Sequence, residues 1–142
     1  MMVVIVILVD IDQFNQVLTI GVSRKGNRIN YFFSRSQNIF YLPKELFNMC
    51  WIKKLSLSGL LGNYLPKNII NMANITTLYI NETSVSDISK LTYLKKLKKL
   101  CMEYCKNSLN YRTAEGIMIT KFVGSYDSRK GLEMVLGRKL FY

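Results

Sequence analysis

Three stretches of the chain repeat one order of apolar and polar positions. IKKLSLSGL from Ile52, ITTLYINET from Ile75 and LKKLCMEYC from Leu97 each place apolar residues first, fourth and sixth. These are Ile52, Leu55 and Leu57, then Ile75, Leu78 and Ile80, then Leu97, Leu100 and Met102, so the units recur at a nearly constant period. Further apolar residues stand six and three positions ahead of each start: Leu46 and Met49, Ile69 and Met72, Leu91 and Leu94. Two units open on the same pair, Leu42-Pro43 and Leu65-Pro66.

The alternation at places four to six predicts a short strand in each unit, with the flanking apolar residues turned inward and the middle one outward. For the third stretch there is a competing pattern. Leu91, Leu94, Leu97 and Leu100 recur every third position with lysines between them, as on a basic amphipathic helix that lies on a membrane or grips nucleic acid. In-register agreement with two other segments decides for the strand. One such unit cannot bury its own apolar side, so the units are expected to stack and pair their strands in parallel.

The order resembles the leucine-rich repeat, whose units read LxxLxLxxN or LxxLxLxxC over about 20 to 29 residues. It covers residues 42–106, and its 22- and 23-residue spacing with a Leu-Pro start is similar to the intracellular repeat class, which includes scaffold proteins that regulate phosphatases and small GTPases. In compositional style the chain also resembles the leucine-rich-repeat gene family of insect poxviruses. The resemblance implies an α/β fold: a short leucine-rich-repeat solenoid with a curved parallel β-sheet. In that family the ninth place bonds backbone left open by the turn. Thr83 and Cys105 have a hydroxyl or thiol for this, whereas Leu60 departs from the pattern.

About three repeats are the minimum for a stable stack, so both ends need covering. Residues 1–41 are read as a β-rich N-terminal cap, with strands at Val17–Val22 and Arg28–Phe33 around a turn centred on Gly26-Asn27. The apolar run MMVVIVILV suits a buried strand. Degenerate repeat strands at Val6, Val9 and Ile11, or at Ile29 and Phe32, are a weaker alternative. Residues 107–142 are read as a divergent repeat or C-terminal cap. A strand is expected over Ile117–Val123, where Ile119 and Phe122 lie one period beyond Leu97 and Leu100. A short helix holding Leu132, Val135 and Leu136 should end at Gly137.

Composition narrows the chemistry. The 142 residues are 49% hydrophobic and 20% charged, as in a folded domain. Abundant Ile, Asn, Lys and Tyr, with Ala73 and Ala114 the only alanines, suit an AT-rich genome, and this bias inflates the net charge of +11. The three cysteines, Cys50, Cys101 and Cys105, are odd in number and lack framework spacing, which suits free thiols in an intracellular, cytoplasmic setting. The opening run lacks the flanks of a signal peptide and is too short to span a bilayer.

There is no histidine, so ordinary serine or cysteine triads are excluded and a structural zinc is disfavoured. No phosphate-binding glycine loop occurs, and no cofactor is expected. VILVDIDQF resembles the first metal-binding strand of diguanylate cyclases, which would make Asp10 and Asp12 magnesium ligands. The GG(D/E)EF hairpin of that family is missing, and a strand ending in acidic surface residues is preferred.

The leading functional expectation is a non-enzymatic module that binds another protein, of acidic or mixed surface, through the concave sheet face. Its rows would be Lys54, Thr77 and Lys99; Ser56, Tyr79 and Cys101; and Ser58, Asn81 and Glu103. The alternative is a basic patch of Lys90, Lys95, Lys96, Lys98, Lys99 and Lys106 on nucleic acid or an anionic surface.

Overall fold

The computed structural model describes residues 2–5, 20–25, 28–29, 31–33, 47–48, 50, 52–57, 63–106 and 108–142. Eight strands and one α-helix are found among them: β1 (Met2–Ile5), β2 (Ile20–Lys25), β3 (Arg28–Ile29), β4 (Tyr31–Phe33), β5 (Lys54–Ser56), β6 (Thr77–Tyr79), β7 (Lys99–Met102), β8 (Lys121–Gly124) and α1 (Tyr126–Leu136). Strands β4 to β8 form one parallel sheet in chain order. The result is a small α/β fold.

Register follows the repeat place by place. Phe32, Leu55, Leu78, Leu100 and Phe122 lie opposite one another across five strands. Ile52, Leu55, Leu57, Ile75, Leu78, Ile80, Leu97 and Leu100 are fully buried and belong to one core. The pairing is a direct consequence of spacing: any one-residue slip would turn every apolar side chain outward.

The leucines at every third position do not make an α-helix. Ser89–Tyr93 is a 3-10 turn, the chain then straightens, and β7 begins at Lys99. Leu94 N–H donates to the Leu91 carbonyl at 3.0 Å, and Leu97 N–H to the Leu94 carbonyl at 3.1 Å. A 3-10 geometry has about three residues per turn, so residues at this spacing share the buried side. Ile69, Met72 and Ile75 repeat the same bonds, at 3.0 and 3.2 Å. The 3-10 turns Lys67–Asn71, Ser89–Tyr93 and Tyr111–Ala114 stand in series behind the sheet, each burying one side chain: Ile69, Leu91 and Ala114.

The ninth-place expectation is met at both described positions. Thr83 Oγ1 donates to the Ile80 carbonyl at 2.9 Å, and the Cys105 thiol reaches the same carbonyl at 3.3 Å. Leu60 lies outside the described residues.

The flanks divide differently from expectation. The predicted strand Arg28–Phe33 splits: β3 pairs antiparallel with β2 (Lys25 opposite Arg28), whereas β4 turns into the parallel sheet beside β5. Phe32 stands one repeat period before Leu55, and this spacing carries β4 into the sheet. β1 pairs antiparallel with β2. Val6, Val9 and Ile11 lie outside the described residues.

At the other end the expected strand starts late. The ladder begins only at Lys121, the same place in the unit as Lys54, Thr77 and Lys99, and ahead of it the carbonyls of Ile117 and Ile119 accept from the Arg138 guanidinium at 2.8 Å and 2.7 Å. The tail then closes the edge: Phe122 N–H donates to the Phe141 carbonyl at 2.7 Å and Phe141 N–H to the Thr120 carbonyl at 2.9 Å. Helix α1 has Ser125 as N-cap, its Oγ accepting from Ser128 N–H at 3.1 Å, and ends on Gly137 at φ 67°. Leu132 is buried in the core, with Val135 and Leu136 packed beside it.

Gly124 occupies the sixth place, where the earlier units have Leu57, Ile80 and Met102. A Cβ there would stand 2.7 Å from the Phe122 ring and 3.0 Å from the Met102 carbonyl oxygen. Gly124→Ala is therefore expected to cost roughly 1–3 kcal/mol, as other overpacking changes do, read as a lowered midpoint in urea. An unchanged midpoint would show that the last strand is loosely held.

Candidate interaction surface

The outward side chains of β5 to β8 come into rows by register alone. Lys54, Thr77, Lys99 and Lys121 form one row, and Ser56, Tyr79, Cys101 and Val123 the next. These two sequence rows therefore stand in register for their described members, and each extends by a position on β8 and, by backbone pairing, by one on β4 (Tyr31 and Phe33). Lys121 and Val123 were missed because the last unit lacks the Leu-x-Leu signature. The usable signal was Phe122, one repeat period after Leu100.

Exposure separates these residues. Lys54 and Lys121 are exposed, and Thr77, Tyr79 and Lys99 are half-buried. Ser56 and Cys101 are only 8% and 4% exposed, which corrects the expectation that both stand open on the concave face and leaves neither much area for a partner. A small side chain between larger neighbours on adjacent strands is overhung by them.

Burial also sets the acid–base character. It raises the Cys101 thiol above its ordinary value, with Glu103 adding to the rise and Lys99 opposing it. Burial, followed by the neighbouring Cys101, raises the Tyr79 phenol. Cys101 is thus a poor nucleophile, and Tyr79 keeps its O–H donor at the centre of the face.

In the third row, Asn81 Oδ1 accepts from Glu103 N–H at 2.8 Å. Asn81 therefore holds the chain leaving β7 and is only partly free for recognition. Glu103 is half-buried, and Ser58 lies outside the described residues.

The lysines that are neighbours in sequence are not one patch in space. Lys90 belongs to the 3-10 turn Ser89–Tyr93 and sits over the Tyr64 ring, 5.9 Å from its centroid. Lys95, Lys96, Lys98 and Lys99 gather at the start of β7, where Lys96 Nζ donates to Asn74 Oδ1 at 2.7 Å. Lys106 follows β7 at its opposite end.

Grooves open on the surface of the described residues. One of about 650 Å³ lies where β7 and β8 end, lined by Glu103, Cys105, Tyr111, Ser125 and Asp127 among others. Its thiol is tied to the Ile80 carbonyl and Thr83 Oγ1. Another, about 470 Å³, runs over the 3-10 turns between Lys67, Ile70, Lys90, Tyr93 and Arg112. Among the described residues no three Cys, Asp or Glu side chains gather to ligate a metal, and Asp10 and Asp12 lie outside them. No helix among those residues is long and apolar enough to cross a membrane. No protein-family model matches the chain, and the comparison with curated proteins finds no match to it.

Proposed function

We propose that the chain is a short leucine-rich-repeat solenoid that binds a protein of acidic or mixed surface through its concave sheet face, without catalysis. The observation that carries the reading is the unbroken parallel register, which sets Lys54, Thr77, Lys99 and Lys121 in a row beside Tyr79. Repeat sheets of this kind vary their outward residues while the core stays fixed. A half-buried tyrosine with lysines in the next row has the make-up of a binding hot spot: a large rigid body, a polar tip and charges that steer. Free Cys50, Cys101 and Cys105 suit a reducing, intracellular setting.

Tyr79→Ala should weaken the complex by about 2 kcal/mol or more, beyond any single substitution on the 3-10 turns. Lys54→Glu and Lys99→Glu should mainly slow association and change its salt dependence. The test is quantitative affinity capture from cells with wild type and Tyr79→Ala, followed by surface plasmon resonance with the protein lost from the variant. Normal capture by Tyr79→Ala, together with loss on neutralising Lys95 and Lys96 and a steep salt dependence on nucleic acid, would replace this reading with nonspecific charge binding.

A further inference from the structure

Charge on the repeat face is divided along the strand direction. Lys53, Lys54, Lys95, Lys98, Lys99 and Lys121 stand at the starts of β5, β7 and β8 or in the turns that lead into them. No carboxylate accompanies them among the described residues. Glu82 follows β6, Glu103 follows β7, and Asp127 lies in the first turn of α1, after β8. Lys106 lines the same groove as Glu103 and Asp127, and on α1 Arg129 and Lys130 are drawn over the Tyr126 ring, beside Asp127. The remaining described carboxylates are directed elsewhere: Asp87 is held by Ser89, Glu115 lines the groove over the 3-10 turns, and Glu133 pairs with Arg129 at 3.8 Å.

We infer that this face recognises a polypeptide segment of matching polarity, with an acidic run laid across the strand starts and a basic residue at the strand ends. The inference rests on the sheet-face reading above and adds the partner's chemistry and orientation. From Lys99 to Glu103 is roughly 13 Å of strand at about 3.3 Å per residue. The two rims are thus far enough apart to be addressed separately and close enough for one short segment to reach both.

A nucleic acid fits this arrangement less well. A duplex is broader than the distance between the rims, so phosphates attracted by Lys54 and Lys99 would bring others against Glu82 and Glu103. A single strand gains most from a run of stacked aromatic rings, and from β5 to β8 the lysine row has none, its other member there being Thr77, with Tyr31 of β4 in register only at the Lys54 end. These cations are lysines, as is Lys96 beside them, and the nearby Arg138 gives its guanidinium to the Ile117 and Ile119 carbonyls, so none of the lysines offers the fork that makes arginine effective on phosphate. Like-charge contact at one rim and attraction at the other fix direction more than strength.

The test uses two fluorescein-labelled peptides of identical composition. One has a block of glutamates, a flexible spacer and a pair of lysines; the other has the same residues interleaved. At physiological salt the block peptide should bind at least about tenfold more tightly than its isomer. Lys54→Ala/Lys99→Ala/Lys121→Ala should abolish that preference, as should Glu82→Lys/Glu103→Lys. Lys67→Ala/Lys90→Ala/Lys130→Ala, with the same loss of charge elsewhere, should leave it intact. Equal binding of the isomers, or equal loss from both lysine triples, would reduce the effect to net charge and overturn the inference. It is also overturned if a short DNA duplex binds more tightly than the block peptide and is lost with the first triple. Tyr79→Ala measured alongside separates the two readings. If affinity falls while the preference persists, both hold; if affinity and preference are both unchanged, the polarity stands and the Tyr79 hot spot falls.

Discussion

Leu78→Ala is expected to lower stability by roughly 2–5 kcal/mol, the range for large-to-small changes in a packed core. Leu78 is fully buried in the middle of the parallel sheet, opposite Leu55 on one side and Leu100 on the other. Removing it therefore strips contacts from both neighbouring units at once, and the short strands around it give little scope for collapse. Lys96→Ala is the matched control. Its ammonium bonds Asn74 at the surface, so the change should stay within about 0.5 kcal/mol. Urea unfolding with a common slope measures both. Similar losses from the two substitutions would contradict the assignment of inward and outward sides.

Phe122→Ala should be at least as costly, roughly 3–5 kcal/mol for a buried phenylalanine. The residue is completely enclosed, lies opposite Leu100 and donates its backbone N–H to the tail at Phe141. The cavity would open under the last strand, and the tail that closes the sheet edge rests on the same segment. The expected readout is a lowered denaturation midpoint together with earlier proteolysis near the C-terminus. A loss below about 1 kcal/mol, far under the usual cost of such a cavity, would mean that residues 107–142 add little to the core.

The hydrophobic order determined a great deal by itself. It located β5, β6 and β7, their parallel direction and the inward set Leu55, Leu78 and Leu100, because places four and six of each unit obey the alternating period of a strand. It also located α1 and its stop, since Leu132, Val135 and Leu136 lie on one helical side and Gly137 supplies the left-handed turn. What it left open was local geometry that several periods satisfy. A leucine at every third position fits an amphipathic helix and a 3-10 turn alike. Only packing against the neighbouring turns selects the tighter form.

The tertiary structure alone decided exposure and grouping. Cys101 occupies an outward strand position by sequence, and it is buried because the adjacent side chains on the same face are larger. Lys54, Lys99 and Lys121 come from three different units of the chain and meet only because each unit pairs in register with the next. Lys90 and Lys106, close to Lys99 in sequence, are carried to the 3-10 side and to the far end of β7. Sequence distance measures position along one unit, whereas surface chemistry is set across units, by hydrogen-bonded register between strands that no local pattern records.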